Sequence, residues 1–282
     1  MSINFASGDG ERPSVSVVIP TLNEAGSLPW VLDALPAWVS EVILVDGLST
    51  DGTEQVAREM RPEIVVVHQL VPGKGAALRA GFAATTGEIV VMIDADGSTD
   101  PREMGRFVDA LVDGGDFVKG SRHINSGGSA DFTRARSLGN RVFVLLANLL
   151  HGSRFTDLCY GYCAFWRRHL DVLALTADGF EIEAELALNA VRGGLRVCEV
   201  PSFELERREG SSKLSAARDG TRVLRTILSK RSRRSVTRPQ TAAPIHLVPI
   251  QVQGSDQSTP VDSLLVVGTH ECGELRQQLA VA

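Results

Sequence analysis

The sequence is poor in the features that mark several large protein classes. Its longest lipid-compatible run, Val142–Leu150, falls far short of the roughly 20 residues a membrane-spanning helix needs. The opening residues, MSINFASGDGERPSVS, contain no apolar core of signal-peptide type. The expectation is a cytoplasmic protein, soluble or peripheral on the cytoplasmic face of a membrane, that does not cross the bilayer. The four cysteines (Cys159, Cys163, Cys198 and Cys272) include no CxxC pair and are too sparse for a disulfide framework, which fits a reducing compartment. Cys159 and Cys163 stand close in sequence, but no neighbouring His/Cys set completes four metal ligands, so they read as buried thiols. A formal net charge of −5 gives no global basic field, and nucleic acid is not an expected partner. There is no GxxxxGK[ST] loop and no GxGxxG after the first strand, which removes the P-loop and dinucleotide fingerprints. No internal repeat is visible, and no feature sets the oligomeric state.

What is present is a regular alternation. With 282 residues, 43% of them hydrophobic, the chain can form one large α/β domain, or one domain with an appendage. Branched apolar runs at Val15–Pro20, Glu41–Val45, Ile64–His68, Ile89–Ile93 and Asp116–Lys119 predict buried strands. Helical spacing predicts helices from Ser27 to Leu35, from Thr53, from Lys74 to Thr85 and over Arg102–Val112. This β-α-β-α order argues for a mostly parallel, Rossmann-like sheet with helices on both faces. After Gly120 come a glycine- and serine-rich loop (Ser121–Thr133), a helix at Arg134–Leu150, a strand near Tyr162–Trp166, a helix at Ile182–Val191 and a strand at Leu195–Val200. The charged loop Glu206–Lys213 precedes an amphipathic helix at Ser215–Lys230. Residues 1–13 read as a flexible N-terminus, and 232–282 as a disordered or loosely attached tail in which Leu264–Val267 could form a short strand.

Candidate chemistry centres on Ile89–Pro101, IVVMIDADGSTDP. Residues two apart on an extended chain point to one side, so Asp94 and Asp96 leave the strand end together. The carboxyl ends of parallel strands are where open α/β sheets bind ligands. Buried charge needs a partner, and a hard divalent cation carrying substrate phosphates suits carboxylate oxygens. The plainer alternative is that both aspartates cap the next helix, although Asp100 before Pro101 already fits that task. Asn23 and Glu24 follow the first strand and Asp46 the second, where a carboxylate can accept from a base N–H or a ribose hydroxyl; Asp46 could equally be a turn residue, and Asp51 reads as structural. Gly73-Lys74-Gly75 precedes a helix N-terminus, a natural anion site, though an ordinary glycine turn has the same pattern.

The segments VSVVIPTLNEAGSL, VDGLSTDGT, PGKGAALRAGF, DADGSTDP, GSR, TDLCYGYCAFWRR and RREGSSKL occur in an order that resembles family-2 glycosyltransferases. The resemblance covers about Ser14–Lys230 and is nearest to the dolichyl-phosphate mannose synthase and polyprenyl-phosphate glycosyltransferase branch. It implies a GT-A fold over residues 14–231, with a donor half (14–122) and an acceptor half (123–231). It also implies a nucleotide-sugar donor, Mg²⁺ or Mn²⁺ bound through Asp94 and Asp96, and inversion at the anomeric centre. Pro20, Asn23, Glu24, Asp46, Lys74, Asp94, Ala95 and Asp96 would then line the donor site. Arg122 would lie near the donor and acceptor phosphates, and Asp157 would match the position often taken as catalytic base; a turn residue is the plainer reading of Asp157. Arg207, Gly210, Ser212 and Lys213 would belong to a late loop that closes over phosphate. Ser98 departs from the pattern where some relatives carry a metal-assisting glutamine. Tyr160-Gly161-Tyr162-Cys163 departs where many read Gly-Gly-Phe-Arg, which removes an acceptor-site arginine, although Arg167 follows. His123 reads as a loop histidine.

The expected reaction is therefore transfer of a sugar from a UDP- or GDP-sugar to a polyprenyl phosphate. A soluble sugar or metabolite acceptor is the alternative. A sugar-phosphate nucleotidyltransferase is less favoured, because Thr21–Gly26 lacks the Arg/Lys of such loops. Intact Asp94, Asp96 and Asp157 argue against a non-catalytic binder. Relatives often carry C-terminal spanning helices; here a lipid acceptor would be met from the surface or through a partner, or the acceptor would be soluble. Arg134–Leu150, with Arg134, Arg136 and Arg141, and the basic helix Ser215–Lys230 point to an anionic membrane surface. Core packing for the first helix and a solvated face for the second would account for the same patterns.

Overall fold

A computed structural model of the chain describes residues 12–210, 214–230, 247–249 and 263–266. Its centre is β1 (Val15–Thr21), flanked by parallel β2 (Glu41–Asp46) and β4 (Ile89–Met92), with β3 (Val65–Gln69) beyond β2. The intervening helices are α1 (Leu28–Asp33), α2 (Thr53–Met60) and α3 (Lys74–Ala84); α4 (Met104–Val112) leads to β5 (Phe117–Ser121). Beyond β5 lie β6 (Gly128–Ser129), α5 (Arg134–His151), β7 (Cys163–Trp166), α6 (Leu170–Leu173) and α7 (Ile182–Arg192). Next come β8 (Val197–Pro201), β9 (Phe203–Glu204) and α8 (Ala216–Ser229). The expected strands and helices are found with ends shifted by a residue or two.

The sheet is mainly parallel, as its apolar runs required. β7 is the exception within its interior, inserted antiparallel between β4 and β5, and β8 then pairs parallel with β5. In the tail, β10 (Leu247–Pro249) and β11 (Ser263–Val266) extend the edge beyond β3, with β11 parallel to it. The short strand expected at Leu264–Val267 therefore joins the sheet; the rest of the expected disordered tail, and the expected flexible N-terminus up to Glu11, lie outside the described residues. β6 and β9 form a separate two-stranded ribbon, too short to register as sequence periods.

Alternate residues of each central strand feed opposite faces, which is why the strands read as unbroken apolar runs. Val18, Ile43, Val45, Val90 and Met92 pack with Leu78 and Phe82 of α3 and Leu186 and Leu188 of α7. Val17, Ile19, Leu44 and Val91 pack with Val31 and Leu32 of α1 and Phe107 and Leu111 of α4. Asp100 caps the 3-10 turn Pro101–Glu103 by accepting from the Arg102 N–H, as expected. Ser27 sits at the N-cap of α1 but does not bond its backbone; its hydroxyl donates to Glu24 at 2.7 Å.

The closeness of α3 to the sheet can be tested at two glycines. A Cβ on Gly81 would lie 2.4 Å from Val18 Cγ1 and 2.7 Å from Val45 Cγ2, whereas one on Gly105 of α4 meets nothing within 4 Å. Urea denaturation should show Gly81→Ala losing about 1–3 kcal/mol through overpacking. Gly105→Ala should instead gain up to about 1 kcal/mol through helix propensity.

Candidate active site

The carboxyl ends of β1 to β4 and the start of α7 enclose a cleft of about 400 Å³. Two loops on its donor side are knitted together. Asn23, at φ 55°, accepts from the Thr50 N–H through its side chain and donates from its own N–H to Ser49 Oγ, both at 2.8 Å. Asp51 accepts from the Ala25 and Thr53 N–H groups, the structural task expected of it. Asn23 thus ties the loops and is not among the cleft-lining residues, while Pro20 and Glu24 are. Asp46 is buried just before Gly47 and Leu48 of the cleft wall. One of its oxygens accepts from the Ser49 N–H at 3.0 Å; the other, Oδ1, is buried without a partner among the described residues. An orphaned acceptor of this kind is costly unless a ligand N–H or hydroxyl fills it.

At the end of β4, each carboxylate of the acidic pair meets a cation. Lys74 Nζ lies 2.6 Å from Asp94 Oδ1 and 2.7 Å from Glu183 Oε1. Burial raises the Asp94 carboxyl to about 6, against the pull of Lys74 and with the repulsion of Asp96 and Glu183. Burial also opposes charge on Lys74, but its two carboxylates outweigh that and hold the ammonium above the ordinary lysine range. Gly161 covers this triad: a Cβ there would lie 2.7 Å from Asp94 Oδ2 and 2.9 Å from Lys74 Nζ. The glycine at position 161, which the segment shares with the Gly-Gly-Phe-Arg pattern, is therefore a packing requirement.

Asp96 is held from the late loop. Arg207 Nη2 lies 2.6 Å from Asp96 Oδ2, and Arg207 Nη1 lies 3.4 Å from Glu24 Oε1. The backbone adds Arg208 N–H to Asp96 O at 3.0 Å and Leu205 N–H to Ser98 O at 2.8 Å. Arg208 then lies over the Trp30 ring at 4.0 Å. Ala95 is buried between the two acids, and Gly97 turns the chain at φ 76°. Gly210 adopts φ 74°, whereas Ser212 and Lys213 lie outside the described residues.

Two hard oxygen ligands so placed fit a divalent cation. Among the described residues no third His, Cys, Asp or Glu joins them to complete a protein-only cage. Mg²⁺ or Mn²⁺ held by the two aspartates would keep positions for substrate phosphate oxygens. A divalent cation held there would have to compete with Lys74 and Arg207, because both aspartates are already paired.

Arg122 occupies the other wall. Its guanidinium meets Asp157 twice, at 2.7 and 2.9 Å, Glu204 at 3.0 Å and the Cys159 carbonyl at 2.6 Å. It also lies over Phe132 and Tyr160, at 4.4 and 4.7 Å. Asp157 is wholly buried, and Asn140 of α5 donates to it at 3.0 Å. Burial opposes the charge on Asp157, but Arg122 outweighs this and holds the carboxyl below the usual range. A carboxylate so buried and paired is not placed as a base toward the cleft, which it does not line. In this structure its geometry is that of a brace for Arg122. Cys159 and Cys163 are free thiols pushed up to about 12 by burial, as expected of inert cysteines. His123 stacks on Phe132 and does not line the cleft.

Sequence reading did not single out Glu183, Glu204 or Asn140. Glu183 looks like ordinary first-turn acid on α7, and Glu204 sits on a two-residue strand. Asn140 also accepts from the Leu158 and Cys159 N–H groups, which shape the Asp157 segment. An uncapped asparagine inside an apolar helix was the one available signal.

Three comparisons bear on this cleft. The family described as Glycosyl transferase family 2 matches residues 16–173. Glycosyltransferase AglJ of Haloferax volcanii is 34% identical over 210 residues, covering 73% of this chain and 68% of the relative. An undecaprenyl-phosphate mannosyltransferase of Micrococcus luteus is 33% identical over 224 residues, covering 74% of this chain and 91% of the relative. Among solved structures, glucosyl-3-phosphoglycerate synthase of Mycobacterium tuberculosis, in complex with Mn²⁺, UDP-glucose and phosphoglyceric acid, superposes with a TM-score of 0.63. It is 27% identical, over 78% of this chain and 80% of that one.

The brace can be measured by denaturation. Asp157→Asn removes the charge that compensates a buried guanidinium and should cost about 3–5 kcal/mol near neutral pH. The folded-state pKa of Asp157 is depressed, so its contribution is complete above the unfolded value of roughly 4. Urea titrations should therefore give a constant gap between wild type and Asp157→Asn from pH 7 down to about 4. The gap should close only at lower pH.

Proposed function

The chain belongs to glycosyl transferase family 2, and from that premise we propose that it moves a sugar from a nucleoside-diphosphate donor to a polyprenyl phosphate. The observation that carries the proposal is the pairing inside one cleft of the Asp94/Asp96 strand end with a separate, braced cation, Arg122. The first is a seat for a metal and diphosphate; the second is a seat for another phosphate. The Micrococcus luteus relative, an undecaprenyl-phosphate mannosyltransferase, supports the acceptor class.

Asp46 Oδ1 is the free acceptor for a base or ribose donor group. Asp94 and Asp96 would hold a divalent cation, which offsets the charge developing on the departing diphosphate. Lys74 and Arg207, next to those carboxylates, add charge-assisted hydrogen bonds to phosphate oxygens. A phosphate monoester has its second pKa near 6 and is largely ionised at neutral pH. The attacking oxygen then needs no general base, which agrees with the burial of Asp157. Arg122 orients the acceptor phosphate, and Asp157, Glu204 and Asn140 fix Arg122. The new bond joins the acceptor oxygen to the anomeric carbon as the bond to the diphosphate breaks on the opposite face. The nucleoside diphosphate leaves, and the configuration inverts.

A soluble phosphorylated acceptor is the second reading. The Mycobacterium tuberculosis structures hold phosphoglyceric acid, so the same fold accepts a small phosphate-bearing partner. Arg122 would serve either acceptor.

Incubation with radiolabelled UDP-glucose or GDP-mannose, Mn²⁺ and undecaprenyl phosphate should give an organic-extractable product. Label that appears only in the aqueous phase with phosphoglycerate would replace the lipid by the soluble acceptor. Arg122→Lys should lower kcat by about 10²–10³-fold while leaving the donor Kd within two-fold, since an ammonium cannot keep the bonds to Asp157, Glu204 and the Cys159 carbonyl that hold the cation on the acceptor side. A donor Kd that rises with the loss of turnover would move Arg122 to the donor.

A further inference from the structure

Lys74 is the first residue of α3, with a glycine on either side. Gly73, at φ 124°, has no side chain with which to cap the helix, and glycine backbones are the freest to move. The cap comes instead from a distant segment, residues 176–178, that precedes α7. The Asp178 carbonyl accepts from the Gly75 N–H at 2.8 Å and from the Ala76 N–H at 3.1 Å. Both glycines are needed for this approach: a Cβ on Gly73 would run into the Asp178 carbonyl oxygen, and one on Gly75 into that of Ala177. Arg79, in the next turn of α3, donates to the Thr176 carbonyl at 2.8 Å and pairs with the Asp178 carboxylate. The anion site that the sequence offers at Gly73-Lys74-Gly75 is therefore partly filled by the chain itself. The Gly75 and Ala76 N–H groups are spent, and the ammonium of Lys74 is what this turn can bring to a phosphate.

Behind the segment stands Glu185 of α7, a buried carboxylate that the proposed reaction does not use and that does not line the cleft. Its Oε2 accepts from the Thr176 N–H at 2.9 Å and the Ala177 N–H at 2.8 Å, and its Oε1 from the Thr176 hydroxyl at 2.7 Å. Lys230, at the end of α8, places Nζ 2.8 Å from Oε1. Burial resists the charge on Glu185, but Lys230 and the N–H groups outweigh it and hold the carboxyl below the usual range. α7 thus reaches the start of α3 twice, directly through Glu183 on the Lys74 ammonium and indirectly through Glu185 on the capping segment.

We propose that Glu185 is a positioning residue of the donor site: through residues 176–178 it fixes the first turn of α3 and so holds the Lys74 ammonium against Asp94 and Glu183, with Lys230 as its counter-charge. The inference rests on the reading of the cleft as a nucleoside-diphosphate site. It has a signature that a merely structural role lacks, because two affinities move in opposite directions. A loosely held Lys74 contributes less to a diphosphate, and it also competes less with a divalent cation for Asp94. General loosening of the cleft would weaken both ligands.

The test is calorimetry on the full chain. Titration with UDP and with GDP at saturating Mn²⁺ identifies the diphosphate that binds wild type more tightly. Glu185→Gln should raise the Kd of that diphosphate about ten-fold, as expected for one displaced charge-assisted contact, and should tighten the binding of Mn²⁺ alone by about three-fold. Lys230→Met, at the end of α8 and away from the cleft, should shift the two affinities in the same opposite directions by smaller factors. It carries the test if Glu185→Gln does not fold. Unchanged affinities in a folded Glu185→Gln, or in Lys230→Met where the first variant does not fold, overturn the proposal. So does a weakening of diphosphate and Mn²⁺ together, which would make Glu185 structural only and leave the donor reading standing. A wild type that binds neither diphosphate would overturn that reading and this proposal with it.

Discussion

The structure depends on how negative charge is carried at the carboxyl end of β4. Asp94 and Asp96 leave the most buried part of the sheet together, and neither could remain ionised there without a partner. Lys74 from the start of α3 and Arg207 from the late loop supply those partners. The consequence is architectural. Gly161 must lack a side chain so that the Lys74 triad closes, and Glu183 must come from α7 to share the ammonium. The late loop must also cross to Asp96 and Ser98, carrying Arg208 onto Trp30. One charged pair thus gathers residues separated by more than a hundred positions in the chain.

The opposite wall solves a second charge problem in the same way. Arg122 is buried, and it remains a cation because Asp157 and Glu204 surround it. Burial resists its charge, but the carboxylates outweigh that and hold it above the ordinary arginine range. The two walls differ in one respect that matters for chemistry. On the donor wall each carboxylate is held by one cation, a pairing that a metal and a diphosphate can exchange. On the acceptor wall the arginine is locked by several partners and stays where it is. A site with one exchangeable wall and one fixed wall suits a reaction in which a diphosphate departs and an incoming phosphate is held.

Much of this was legible in the sequence. The central strands show as continuous apolar runs because both faces are covered, and the acids at their ends fall where the strand period puts them. Asp46, Lys74, Asp94, Asp96, Arg122 and Arg207 all lie in or beside the cleft. What was not legible depends on contacts made at long range. Asn23 looks like a pocket residue, and only the fold shows that Thr50 occupies its side chain. Asp157 stands at the position expected of a base, and only the fold shows its burial against Arg122 and Asn140. The antiparallel insertion of β7 leaves no mark in a run of four apolar residues. α5 reads as a helix from its period, but a period cannot say that one apolar face is packed and the other bare.

The most direct measurement of the account is the affinity of Mn²⁺ alone for the protein, followed by the paramagnetic resonance of the free ion, in wild type and Arg207→Gln. If Arg207 holds the seat that the cation takes, removing its charge should tighten Mn²⁺ binding by roughly ten-fold, the equivalent of about 1.4 kcal/mol from one charge-assisted contact. Binding of UDP in the presence of saturating Mn²⁺ should weaken in the same variant, because Arg207 no longer reaches phosphate. Unchanged or weaker Mn²⁺ binding in Arg207→Gln would contradict the exchange of cations at Asp96 on which the account rests.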